Sequence, residues 1–322
     1  MKIVALVIYF VLQIAFIPLA VLGIALTGYK QIAVSKRLGV SQTAIEIING
    51  RWTMHIFGIR EDPATAALIS VLPNTSVTGL WLVLFPLWLQ TKLSGQLSFY
   101  PRIPKGGDEK IADLVPARTL YFDRIIERAL KDVDQMVLMG AGYDTRAYGV
   151  FADADVTFFE LDQSAVQRHK RERLGKTDLK SEHVTFVNID FSKDDLFEKL
   201  SAAGFDVSKK TLFLWEGVTL YLSLNQVQQT MKVVKEKSAP GSILLADVYG
   251  DRMIEVLGRS KVAGKVLELT DEGLAFGLSF AVNWEQEFED FIEAQSMSVG
   301  EAHFLGSNDE KGPYAVVAEI LC

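Results

Sequence analysis

The sequence predicts an α/β protein: a doubly wound, Rossmann-like parallel sheet ending in an antiparallel strand, preceded by an apolar helical region. Three observations carry this. From Gln135 onward, short apolar β-rich runs alternate with helical stretches; two glycines interrupt the chain just after the first run; and the excess of apolar residues is concentrated near the N-terminus.

The N-terminal region comes first. Ile3 to Thr27 is 25 residues without a charge, and at about 1.5 Å per residue such a helix crosses a hydrocarbon core of roughly 30 Å. The competing reading, a cleaved signal peptide, lacks a clear A-x-A site before the polar residues. A second uncharged stretch, Pro63 to Thr91, carries Pro73, Gly79, Pro86, Trp81 and Trp88. Those residues suit a membrane interface or a re-entrant turn better than a clean span. Lys30, Lys36 and Arg37 follow the first segment whereas only Lys2 precedes it, so the positive-inside bias puts everything after residue 28 in the cytoplasm. The expectation is a single-pass membrane protein with its main domain on the cytoplasmic side and a membrane-dipping or lid helix at 77–89. Between the two stretches the pattern reads as an amphipathic helix, a break at "GIREDP" and a helix entering at Pro63. "LSFYPRIPKGGDEK" reads as a connector into a helix from Leu114 to Lys131. The expected organisation is therefore a membrane helix at 1–28, a helical lid region at 29–107 and the main domain at 108–322.

In the main domain "QMVLMG", "DVTFFEL", "VTFVNID", "TLFLWEG" and "SILLADVY" read as buried strands, with helices at 164–174, 193–203 and 225–237. This alternation implies a parallel sheet covered on both faces. At the end "MSVGEAHFL" and "PYAVVAEIL" are joined only by a short loop, so they form an antiparallel pair at the sheet's edge.

Composition removes several functions. The net charge is -7 and the pI about 5.3, which supplies no basic excess for a nucleic-acid partner. Cys322 is the only cysteine, and His55, His169, His183 and His303 lie far apart, so a disulfide framework and a zinc site are both set aside.

Gly140 and Gly142 follow the first strand, and Asp144 or Thr145 is placed to cap a following helix. Glycines there allow a tight turn and close approach of a ligand, and free helix amides attract an anion. Alone, this also reads as a merely structural turn. Glu160 and Asp162 end the second strand about 20 residues later, where doubly wound folds place an acid on ribose hydroxyls. Thr145 stands where a third dinucleotide glycine would be.

Taken together, "GAGYDTRAY", "ELDQSAVQRHKRERL", "FVNIDF" and "WEGVTLYL" resemble, in order, the motifs of the leucine carboxyl methyltransferase family. These are class I O-methyltransferases dependent on S-adenosyl-L-methionine. "VPARTLYFD" is similar to the family's arginine-bearing helix, and the resemblance covers roughly residues 41 to 320. It implies a class I methyltransferase sheet and S-adenosyl-L-methionine as cofactor. Arg118 would pair with the cofactor's carboxylate, Gly140 and Gly142 would lie under its methionine portion, and Glu160 and Asp162 would hold the ribose. Asp190 and Phe191 would flank the adenine, and Glu216 would face the amino or sulfonium end.

The plainer readings stand beside these: Arg118 as a surface helix arginine, Glu216 as a helix cap, Trp215, Tyr221 and Tyr249 as core, and "RHKRERL" as a solvated helix face. No paired base stands out, which favours an acceptor that is already anionic. Tyr221 and Tyr249 are the candidates for a catalytic contact. The apolar N-terminus, an addition to the family's soluble pattern, points to an apolar or lipid-like acceptor methylated at a carboxylate or hydroxyl. A non-catalytic cofactor-sensing membrane module and a nicotinamide oxidoreductase are the rivals.

Overall fold

The computed structural model describes residues 2–191, 193–259, 274–280 and 283–322. These divide into two compact units: one holds Met1–Ile103, Tyr143–Val150 and His169–Leu179, the other Pro104–Gly142, Phe151–Arg168 and Lys180–Cys322.

The second unit is the sheet. Its described strands are β1 (Gln135–Met139), β2 (Thr157–Asp162), β3 (Val184–Asn188), β4 (Thr211–Trp215), β5 (Ile243–Tyr249), β6 (Ser298–Leu305) and β7 (Ala315–Leu321). They form one sheet in the order β3-β2-β1-β4-β5-β7-β6. The first five are parallel, and β7 runs antiparallel to both β5 and β6. This is the predicted pattern, including the closing pair. Every residue of β1 and β4 is buried, as expected of strands covered on both faces. One face packs Val137, Phe159, Phe213 and Leu244 against Val227, Met231 and Val234. Those three stand four and three residues apart on α9 (Leu224–Lys237), the buried stripe of an amphipathic helix that Ser223 and Gln226 open with a capping box.

Chain reversal places β1 next to β4, so the strand order switches between them. Ligand crevices in doubly wound sheets open at the carboxyl ends of strands at such a point. Gly140, Asp162, Glu216 and Asp247 all stand at those ends. The arginine-bearing helix α6 (Leu114–Ala129) belongs to the same unit and is amphipathic, burying Arg118 with Phe122, Ile125 and Ile126.

The first unit is helical. Its helices are α1 (Lys2–Tyr29), continued by a π turn (Lys30–Val34) and α2 (Ser35–Leu38), then α3 (Gln42–Ile56), α4 (Pro63–Val71) and α5 (Val77–Ser94). Ser41 caps α3, Asp62 caps α4 with Pro63 in its first turn, and Ser76 caps α5, so the polar residues of the breaks supply the free first-turn amides with acceptors. The continuous helix Lys2–Leu38 is long and apolar enough to cross a membrane.

Two expectations differ. Behind the glycine turn there is no α-helix but a three-residue 3₁₀ turn, Arg146–Tyr148. Asp144 accepts from the Arg146 amide at 2.8 Å and pairs with the guanidinium groups of Arg51 at 2.8 Å and Arg146 at 2.6 Å. The Asp-Thr-Arg therefore serves a buried ion-pair cluster, and one turn carries no appreciable helix dipole for an anion. In α7 (Ser164–Leu174) the "RHKRERL" face is not wholly solvated. Lys170 is buried and donates from Nζ to the Asp144 carbonyl at 2.7 Å, while His169 bonds the Tyr143 hydroxyl.

Candidate active site

Arg118 is the centre of a buried charged cluster. It is 6% exposed, which removes the surface-arginine reading. One terminal nitrogen donates to Asp247 Oδ2 at 2.8 Å and to the Tyr249 hydroxyl; the other lies 3.4 Å from Glu216 Oε1. Among the described residues its Nε has no hydrogen-bond partner. A guanidinium presents its donors as planar forks, so one edge is spent on Asp247 and Tyr249 while Nε is left over.

The cluster follows from strand ends. β4 delivers Trp215 into the core and then Glu216, and Gly217 turns the chain with φ +70°. β5 places Asp247 and Tyr249 two residues apart, hence on one face of the strand. Asp247 is fully buried and accepts three bonds, from Arg118, from the Gly217 amide at 2.8 Å and from the Tyr249 hydroxyl at 2.8 Å.

Burial opposes the charge on Arg118, but Tyr249, Asp247 and Glu216 outweigh it and hold its pKa above the ordinary value. Burial also pushes the Asp247 carboxyl up, against the pull of Arg118 and the Gly217 amide. The Tyr249 phenol is raised well above its usual value, again by burial first. Tyr249 is therefore protonated at neutral pH. Tyr221, in the turn Thr219–Tyr221, is close enough to add to that rise.

A second group lies at the ends of β1 and β2. Gly140 and Gly142 both have positive φ, +74° and +47°. A Cβ on Gly140 would stand 2.5 Å from Val218 Cγ2, so this glycine makes room for the protein's own valine. The Gly142 amide donates to Asp162 Oδ2 at 2.6 Å, and Asp162 Oδ1 takes the Gln163 amide at 2.7 Å. Asp162 thus pins the glycine turn to the neighbouring strand. Glu160 is buried within β2, at 1% exposure.

The other expected residues are farther out. Asp190 lies just beyond β3 and pairs with Lys193 at 2.7 Å. Phe191 is partly buried against the main core. Asp247, Gly217 and Val218 were not singled out from the sequence. The available signal for Asp247 was an acid inside the apolar run "ILLADVY", a residue type that is rarely fully buried unless paired.

Comparison with known proteins bears on this same region. Residues 88–235 match the family model described as leucine carboxyl methyltransferase. A Mycobacteroides abscessus protein provisionally named an S-adenosyl-L-methionine-dependent methyltransferase is 34% identical over 140 residues, covering 43% of this chain and 44% of that protein. A similarly named Mycobacterium avium protein is 31% identical over 156 residues, covering 47% and 51%. The chain thus spans about half the length of the curated relatives it matches. Among solved structures, the 1,6-didemethyltoxoflavin-N1-methyltransferase of Burkholderia thailandensis aligns at a TM-score of 0.42 and 13% identity, over 64% of this chain and 78% of that one, a likeness too loose to carry an argument. Residues 88–235, which hold Arg118, the glycine turn, Asp162 and Glu216, are thus similar to the leucine carboxyl methyltransferase family.

Proposed function

We propose that this chain is a membrane-associated, S-adenosyl-L-methionine-dependent methyltransferase that methylates a carboxylate or hydroxyl oxygen of an apolar or lipid-like small molecule. The observation that carries the reading is the buried Arg118 cluster at the carboxyl ends of β4 and β5, in the same unit as the glycine turn and Asp162.

The donor set fits the cofactor. Its amino-acid end carries one carboxylate and one ammonium, and the leftover Arg118 Nε suits the first while Glu216 suits the second. Asp162 can exchange an amide partner for ribose hydroxyls without leaving the strand end. When bound, the cofactor supplies a methyl group on a sulfonium, already activated for in-line displacement. What the chain must add is alignment and exclusion of water. Arg118 holds the carboxylate, Asp247 fixes the rotamer of Arg118, and the Gly217 amide bond to Asp247 fixes the turn after β4. Tyr249, held protonated, donates hydrogen bonds rather than abstracting a proton. That favours a carboxylate acceptor, which needs no base.

Membrane attachment is supported by Lys2–Leu38. The packing of α1 also argues against a removable leader: a Cβ on Gly23 would lie 2.5 Å from the Gly79 carbonyl, and Phe16 stacks on Phe85 at 5.5 Å. The test is to incubate the purified full-length protein with methyl-labelled S-adenosyl-L-methionine and a membrane lipid extract. Label should appear in an organic-soluble product; mild base releases its methyl group where the acceptor is a carboxylate and leaves it in place where the acceptor is a hydroxyl. Label confined to unreacted cofactor across extracts would overturn the proposal.

A further inference from the structure

α1 read alone suggests a span; its neighbours suggest another course. α1 and α5 run antiparallel along each other, with Gly23 against Gly79, Phe16 on Phe85 and Tyr9 on Phe99. α5 in turn carries α3 on its other side. Gly79, Leu82 and Val83 face α1, whereas Trp81 and Trp88 meet α3, through Trp52 at 5.5 Å and the Ile56 carbonyl at 3.1 Å. At 100° per residue those two sets lie roughly 165° apart, with Phe85 between them on one side. The order is therefore α1, α5, α3, with α1 outermost.

This layering fixes what lies at each depth along α1. Trp88 is one turn beyond Phe85, so the end of α3 lies level with about residue 13 of α1, near the middle of its apolar run. There the chain turns through the Arg60–Asp62 ion pair, with the Asp62 amide bonded to His55 Nδ1 at 3.0 Å. Glu61, between them, is exposed. If α1 crossed a bilayer, this carboxylate and the polar turn around it would sit near the midplane, where a charge is costly.

The outer face of α1 shows the opposite character. Ile3, Val7, Phe10, Ile14, Ile17, Val21 and Ile24 are each more than half exposed. They recur every three or four residues, and Val4 and Val11 beside them are equally exposed, so the whole outward side of the helix is apolar. Cations flank it at both ends: Lys2 and, on the end of α5, Lys92 over the Trp88 ring at 5.7 Å; at the other end Lys30, Lys36 and Arg37. A spanning helix carries its basic excess on one side. Cations at both ends match a helix lying along an anionic surface.

We propose that α1 is a monotopic anchor: it lies in the plane of one leaflet of an anionic membrane, its outer stripe among the acyl chains, and both of its ends stay on the same side. This rests on the membrane reading above and changes its geometry. It also gives that reading a route for an apolar acceptor, since substrate and enzyme would share one leaflet without a transmembrane step.

The test uses the full-length protein with Cys322→Ser as background and single cysteines at Gln96 (the Met1 end of the hairpin), Glu61 and Lys36 (the far end). Each is challenged with a membrane-impermeant maleimide in spheroplasts and in inverted membrane vesicles. All three should be labelled in one preparation and none in the other. Labelling of Gln96→Cys and Lys36→Cys from opposite faces overturns the proposal and leaves membrane attachment standing. Flotation separates the other failure. The protein should rise with phosphatidylcholine vesicles containing phosphatidylglycerol, and at least several-fold less with phosphatidylcholine alone. No flotation with either overturns attachment itself, and a discrete dimer in vesicle-free buffer that ignores vesicles shows that a second copy covers the stripe instead.

Discussion

Removing the Asp247 carboxylate tests the core of the site. Asp247→Ala leaves Arg118 buried with only Glu216, at 3.4 Å, opposing its charge, and leaves the Gly217 amide without its acceptor. Breaking one side of a buried ion pair costs about 3–5 kcal/mol, and an orphaned buried amide about 1–3 kcal/mol. The two losses share a residue and do not add, so about 4 kcal/mol is expected. Asp247→Asn keeps one oxygen for the Gly217 amide but aims an N–H group at Arg118, and should cost roughly half as much. The assay is urea unfolding of the full-length protein in mild detergent, followed by intrinsic tryptophan fluorescence, to which Trp215, fully buried on β4 beside Glu216, contributes. A loss below about 1 kcal/mol for Asp247→Ala would refute the reasoning, because it would mean that Arg118 finds water or another acceptor at no cost. A normal affinity for S-adenosyl-L-methionine in the folded Asp247→Ala protein would separately refute the claim that Asp247 orients Arg118.

Three further outcomes are expected. Arg118→Lys loses the planar fork and should weaken S-adenosyl-L-methionine binding roughly 10- to 100-fold by calorimetry, with the intrinsic tryptophan fluorescence unchanged. Gly140→Ala should cost about 3 kcal/mol, from the left-handed backbone and from overpacking against Val218; Val218→Ala in the same chain should recover the packing part in a double-mutant cycle. The third concerns acid stability: Arg128 first, and His303 and Arg124 with it, hold the Glu301 carboxyl down to about 2 from an ordinary 4.5. A depressed carboxyl stabilises above its unfolded pKa, so this contribution is complete above pH 4.5 and lost as pH falls toward 2. Because Arg124 and Arg128 are half exposed, Glu301→Gln should cost only about 1 kcal/mol at pH 7, and the gap from wild type in urea midpoints should close between pH 4.5 and pH 2.

The sequence determined the sheet and its closing antiparallel pair, because strand and helix periods and connection lengths are local properties. It also pointed to the glycine turn, Glu160 and Asp162, which follow or end strands, whereas Arg118, on α6, and Glu216 drew notice only through the resemblance of their motifs to a methyltransferase family. It did not reveal that the turn after Tyr143 is 3₁₀ rather than α, because the competing Asp144 partner, Arg51, lies 93 residues away. Nor did it single out Asp247, whose meaning depends on a guanidinium 129 residues distant. Gly140 illustrates the difference well: the need for glycine was legible from its place after a strand, but the atom that demands it belongs to Val218, which only the folded chain brings there. The apolar N-terminus was equally plain as composition. What tertiary structure added is which face of α1 remains open and what stands beside it, and those follow from α5 and α3 packing in layers rather than from hydropathy along one helix.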